Sequence, residues 1–363
     1  MDRLIRLYEE HGQSPWLDNL KRGYLTSGQL AGLVDGGIRG LTSNPTIFQK
    51  AIQGSPDYDE QFSDLVRGGG SDLGTYWSLV LRDIRGALDV FAPLHETSHG
   101  HDGFVSVEVA PDLADDTPGT AAAARELHTR IARPNLMVKI PGTAAGVPAV
   151  QQMITEKRSI NVTLIFSLDR YQSVMEAYLA GLEAADGDLS GVASVASFFI
   201  SRVDTEVDRR LEAIGSPEAL ALRGKAAVTQ GKLAYQQFRR TFSGPRWEAL
   251  AARGARVQRP LWASTSTKNP AYPDTRYVDE LIGPDTVNTL PDATVAAFAD
   301  HGTLARRVDA DLDEAEATWR DLGAVGVDLD DVARTLEVEG VASFQKSFDE
   351  LLGALDAKAA GLR

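Results

Sequence analysis

The chain has 363 residues, a net charge of −14 and no cysteine. Its length supports a substantial core, while the missing cysteines exclude disulfides, thiolate metal sites and a Cys nucleophile, and the acidic balance offers no basic face to nucleic acid or anionic lipid. No apolar run approaches the roughly 18 residues that a membrane-spanning helix requires, and the first residues, MDRLIRLYEEHG, lack a signal peptide's apolar core; no nucleic-acid or membrane partner and a cytoplasmic location are expected.

Short apolar runs alternate with longer, helix-like stretches along the chain. A weak first strand lies near Trp16-Leu17, followed by Asp18 and Asn19, which have the chemistry of a cap for a following turn. Thr26 and Gln29 stand at capping-box spacing before a helix over 29–34. The next strands fall at 38–41, 104–109, 136–140, 162–166, 192–200, 260–263 and 286–290. Helices are predicted over 76–91, 121–131, 147–154 and 171–182, with Ser167 placed to cap the last. Beyond about Thr303 the pattern is helical throughout. Val341, Phe344, Phe348, Leu351, Leu352 and Leu355 share one face there, a packing stripe.

Strand–helix alternation of this kind means an α/β fold with a parallel sheet. Polar residues recur at the ends of the strands: Asp18, Asn44, Glu108, Lys139, Thr163, Ser197 and Ser266. One unit of a barrel takes about 30 residues. The intervals from Asn44 to Glu108 and from Ser197 to Ser266 are about twice that and must hold inserted helices, the first around Gly68-Gly69-Gly70 and the second from about Asp204 to Arg256. A doubly wound sheet would show a Gly-rich first turn, and none is present. The expected architecture is a (β/α)8 TIM barrel with inserted helices and a C-terminal helical extension. It forms a single domain over 1–363, with the barrel at about 12–300 and the helices of about 303–363 packed on it.

Lys139 lies inside the apolar run Leu136-Met137-Val138-Lys139-Ile140, closed by Pro141-Gly142. An ammonium in a strand buried on both faces is costly, so a lysine there tends to give up its proton. A neutral amine attacks carbonyl carbon, the start of Schiff-base chemistry. The alternative is a strand-end lysine whose stem lies on apolar surface while its head reaches water. Making and breaking an imine requires proton transfers, and Asp18 and Glu108 are the carboxylates placed to serve. Glu108, in a buried run, needs a partner: a water, a hydroxyl or Lys139 itself. Asn161 and Thr163 share one strand face, directed inward in a barrel. With Ser197, Ser264 and Ser266 they would make a set of donors and acceptors suited to a polyhydroxylated ligand. Arg202 and Lys268, just past late strands, have the charge and position of phosphate ligands; each is equally readable as a solvated surface cation.

The segment His95-Glu96-Thr97-Ser98-His99 matches H-E-x-x-H, the pattern of zinc peptidases. That chemistry requires a continuing helix and a third ligand. Pro93 precedes the segment and Gly100-His101-Asp102-Gly103 follows it, so it reads as a helix end, and no metal site is expected.

Over roughly its first 290 residues the chain resembles transaldolase, in particular the longer bacterial form. Leu41-Thr42-Ser43-Asn44-Pro45-Thr46 is similar to that family's second-strand signature, Val138-Lys139-Ile140-Pro141-Gly142-Thr143 to its Schiff-base strand, and residues 160–167 to its fifth strand. The resemblance implies reversible transfer of a dihydroxyacetone unit from a ketose phosphate (fructose 6-phosphate or sedoheptulose 7-phosphate) to an aldose phosphate, in the non-oxidative pentose phosphate pathway and without metal or organic cofactor. It implies Lys139 as nucleophile, Asp18 as general acid/base, and Glu108 with Thr163 as holders of a catalytic water. Asn44, Asn161 and Ser197 would bind the dihydroxyacetone moiety, Thr42 would support the pocket, and Arg202, Ser266 and Lys268 would hold phosphate. The family's short forms carry Arg where Lys268 stands, and a lysine cannot form the bidentate fork. Preferred sugars, and a monomeric or homodimeric state, are left open.

Two other readings remain. Aldolases of the same superfamily, which release free dihydroxyacetone, are shorter chains that tend to carry Gln and Tyr where Glu108 and Phe199 stand here. A barrel that binds sugar phosphates without chemistry would not need Lys139, Asp18 and Glu108 together.

Overall fold

The computed structural model describes residues 2–361. Eight parallel strands close into a barrel in sequence order: β1 (Gln13–Leu17), β2 (Gly40–Thr42), β3 (Phe104–Glu108), β4 (Leu136–Pro141), β5 (Ile160–Ile165), β6 (Ser194–Phe199), β7 (Arg259–Ala263) and β8 (Thr286–Leu290). Apart from Arg259, every strand residue is buried, because side chains fill the interior on one face and helices cover the other. The weak sequence signal of β1 has a local cause. Pro15 has no N–H, and β1 meets β2 at one register point, Leu17 opposite Leu41, against five with β8. The Trp16 ring lies where a Cβ on Gly40 would come within 2.5 Å, so β2 must begin with glycine for the two strands to approach.

Three helices, Pro45–Gln53, Asp59–Arg67 and Asp72–Thr97, fill the β2–β3 interval, and Ser201–Ile214, Pro217–Leu220, Ala226–Thr241 and Gly244–Ala251 fill that between β6 and β7. Ser167 caps the helix Leu168–Ala184, its Oγ accepting from Arg170 N at 3.0 Å. The Thr26–Gln29 capping box does not form. Thr26 ends its own short helix, Arg22–Thr26, and donates back to the Arg22 and Gly23 carbonyls. Gly28, at φ +77°, is the residue before the helix Gln29–Asp35, and Ser27 Oγ accepts from Gln29 N instead. His95 closes the helix Asp72–Thr97, whereas His99 lies beyond it in a left-handed conformation, φ 52°. The two imidazoles therefore do not sit a turn apart on one helix. His95 Nδ1 is bonded to the Asp102 carbonyl.

The C-terminal end is helical, Leu312–Ala324 and then Leu329–Ala360. The second helix buries Phe344, Phe348, Leu351 and Leu355. It crosses the barrel's C-terminal rim closely: a Cβ on Gly340 would stand 3.0 Å from Leu164. Leu164 itself is left-handed (φ 58°), at a register shift between Val162 and Ile165 that bends the end of β5. No helix among the described residues is long and apolar enough to cross a membrane.

Candidate active site

Strand register brings the buried polar residues to one level. Glu108 pairs with Lys139, and Lys139 with Asn161; Thr163, beside Pro141, lies one layer above. Lys139 and Glu108 are each about 5 % exposed, and their ammonium and carboxylate approach to 3.3 Å. Lys139 Nζ also donates to the Ser43 carbonyl at 3.1 Å. Ser43 hydroxyl in turn donates to the Ser106 carbonyl at 2.7 Å. The contact between Lys139 and Glu108 is ionic: neither Glu108 oxygen has a hydrogen-bond partner in the protein, nor does the Thr163 hydroxyl. Burial pushes the Glu108 carboxyl above its ordinary range, against the opposing pull of Lys139.

Asn161 is fixed from both sides. Its Nδ2 donates to Ser106 Oγ at 3.1 Å and its Oδ1 accepts from Ser197 Oγ at 2.7 Å. Asp18, at the end of β1, accepts from Thr42 Oγ1 at 2.8 Å. It caps no turn. Its carboxyl is raised by the surrounding protein, while Lys139, Thr42, Lys268 and Arg202 work in the other direction. Asp18 keeps partial contact with solvent through the pocket. Asn44 spends its Oδ1 on Ile47 N at 2.9 Å as the cap of the helix Pro45–Gln53, which leaves its Nδ2 for a ligand.

These groups open into a cavity of ≈ 390 Å³ at the C-terminal mouth of the barrel, a volume in the small-molecule range. Asp18, Thr42, Asn44, Lys139, Thr163, Ser197, Arg202, Ser266 and Lys268 line it. Glu108 and Asn161 lie behind that lining, each touching one of its members. The structure thus brings together every site residue expected from the sequence. Arg202, the second residue of the helix after β6, has its guanidinium 5.3 Å from the centre of the Phe199 ring, and burial lowers its pKa. Lys268 is exposed and donates to Ser266 Oγ at 2.6 Å. Its pKa is lowered by partial burial and then by the charge of Arg202. Two cations facing one pocket, close enough for each to feel the other's charge, suit a dianion.

Sequence reasoning missed several lining residues: Thr46, Ile47 and Lys50 from the helix after β2, and Ser343 and Phe344 from the C-terminal helix. The first three carried a signal, since positions 46, 47 and 50 share a helix face. Phe344 did not, because its periodicity reports burial and not the surface it is buried against. A second cavity, ≈ 400 Å³, lies between the helices Pro45–Gln53 and Leu329–Ala360. Its charged residues, Asp59 and Lys358, are paired with each other, so it holds no comparable reactive set.

The family model described as Transaldolase/Fructose-6-phosphate aldolase matches residues 15–355. A protein of Parafrankia sp. (strain EAN1pec) named transaldolase is 51 % identical over 351 residues, 95 % of each chain. One so named from Saccharopolyspora erythraea is 51 % identical over 353 residues, 96 % of this chain and 95 % of its own. A third, from Thermobifida fusca, is 52 % identical over 353 residues, 96 % of each.

Proposed function

This chain belongs to the transaldolase/fructose-6-phosphate aldolase family, and on that premise we propose that it is a transaldolase, moving a dihydroxyacetone unit between sugar phosphates through an imine on Lys139. The observation that carries this reading is the buried amine of Lys139 at the floor of a polar, cation-rimmed pocket, 3.3 Å from Glu108. Lys139 Nζ adds to the ketose C2 carbonyl, and water leaves as the imine forms. Asp18 then takes the proton of the C4 hydroxyl, the C3–C4 bond breaks, and the electron pair is held by the protonated imine while the aldose phosphate departs. A second aldehyde adds at C3 and Asp18 returns the proton. The buried oxygens of Glu108 and Thr163, which lack hydrogen-bond partners in the protein, need hydrogen bonds, and a water held by them relays protons as the imine forms and later adds to hydrolyse it. Asn44 Nδ2, Asn161 and Ser197 hold the three-carbon unit, and Arg202, Ser266 and Lys268 the phosphate. No metal or organic cofactor enters this scheme. Sugar phosphates do not cross membranes unaided, so a cytoplasmic site of action fits the substrate class, with the protein a monomer or homodimer.

The test is borohydride trapping with fructose 6-phosphate, followed by peptide mapping. A reduced three-carbon adduct on Lys139, absent from Lys139→Ala, is expected, together with turnover that requires an aldehyde acceptor. Release of free dihydroxyacetone without acceptor at the full rate would make it an aldolase. A folded, sugar-binding protein that forms no adduct would leave a binding role.

A further inference from the structure

Four cations line the mouth pocket, Lys50, Lys139, Arg202 and Lys268, against a single carboxylate, Asp18. In a chain of net charge −14 this is a local reversal of sign. Lys139 is engaged with Glu108 and the Ser43 carbonyl, and Arg202 and Lys268 are accounted for above. Lys50 is not. It lies in the helix Pro45–Gln53 that follows β2, while Arg202 is the second residue of the helix that follows β6. In a closed eight-stranded barrel these strands are diametrically opposed, so the two cations approach the mouth from facing sides. Thr46, one turn before Lys50, lines the same pocket. The helix is held from behind by the C-terminal helix, through Thr46 Oγ1 to Ser347 Oγ at 2.8 Å and Gln49 Nε2 to Glu350 Oε2 at 2.6 Å. Its backbone is therefore placed, while the Lys50 side chain is exposed and makes no ion pair or hydrogen bond among the described residues. Lys268 on the other side offers a point charge and not a guanidinium fork, so a phosphate dianion there has uncovered oxygens.

We propose that Lys50 is a third phosphate-binding residue, closing on the substrate's phosphate from the side of the mouth opposite Arg202 and Lys268. The assignment deepens the sugar-phosphate reading and rests on it. Lys50 already adds to the repulsion felt by Lys268, and a dianion among the three relieves it.

Calorimetric titration of the full chain with inorganic phosphate reads the assignment without turnover. Lys50→Met should weaken phosphate about fivefold or more, one charge-assisted contact, and Lys50→Arg should restore most of it. In kinetics Lys50→Met should raise KM for fructose 6-phosphate by a similar factor, leave kcat within about twofold, and leave KM for a donor without phosphate unchanged. Unchanged phosphate affinity overturns the assignment. So does an equal loss in Lys157→Met, an exposed lysine just before β5 at the other end of the barrel, because net charge alone would then explain the effect. Weakened phosphate binding in a protein that performs no transfer would leave Lys50 assigned and overturn the transaldolase reading alone.

Discussion

Lys139 and Glu108 meet, both buried, on adjacent strands, and Asp18 stands at the edge of the same site with its carboxyl raised by burial. A carboxyl whose folded pKa is raised contributes stability below its unfolded value, about 3.9, and loses it as pH rises through the folded value. Asp18→Asn should therefore melt higher than the parent at neutral pH, with the gap closing as pH falls toward 4. Its kcat should drop about 10²-fold or more, the scale of one general acid/base. Melting curves at several pH values and initial rates check both; a variant less stable than the parent at pH 8 contradicts the account of Asp18. Asn161 carries a different lesson. The sequence shows that it shares a strand face with Thr163, whereas the bonds to Ser106 and Ser197 that orient its amide depend on the register of β3, β5 and β6.

The helix Leu329–Ala360 has its apolar stripe as expected, and its place is across the rim of the barrel, with Phe344 in the pocket wall. The retained three-carbon imine must wait for an aldehyde while water is kept from it. Phe344→Ala should raise acceptor-independent release of dihydroxyacetone several-fold relative to transfer, and should destabilise the fold by about 3 kcal/mol through the cavity it leaves. Product analysis with and without acceptor distinguishes the two effects: a variant that melts lower yet leaks no more than the parent shows that Phe344 is packing alone. The short helix Pro45–Gln53 links this tail to the chemistry, since the Asn44 that caps it and the Lys50 that it carries both line the pocket.

Across the whole molecule the two ends of the barrel do different work. At the N-terminal end Asp102, fully buried, accepts from Arg39 Nε at 2.7 Å, Arg259 Nη2 at 3.2 Å and Ser14 Oγ at 2.7 and 2.8 Å, tying together the starts of β1, β2, β3 and β7. None of these residues lines the pocket. Removing one partner of a buried ion network leaves the others uncompensated. Asp102→Asn should cost about 3 kcal/mol of stability in denaturant melts while kcat of the folded fraction stays within about twofold. A large fall in kcat would mean that strain passes along the strands from one end to the other.

Chain-local chemistry was enough to read the strand–helix alternation, the late strands, the buried amine of Lys139 and the polar groups at the strand ends, because a strand's burial and its closing turn are written in consecutive residues. The Lys139 and Asn44 motifs further placed the chain beside a family whose chemistry explains them. Only the closed sheet decided that Glu108 and Lys139 stand 3.3 Å apart, that Asp18 leans on Thr42, and that β1 begins at Gln13 and runs through Pro15. It also set Lys50 opposite Arg202 and laid Phe344 over the mouth. The intervals between such residues in the chain run from tens to hundreds of positions, and no local periodicity encodes which faces meet; ring closure in strand order and burial of the tail's apolar stripe do.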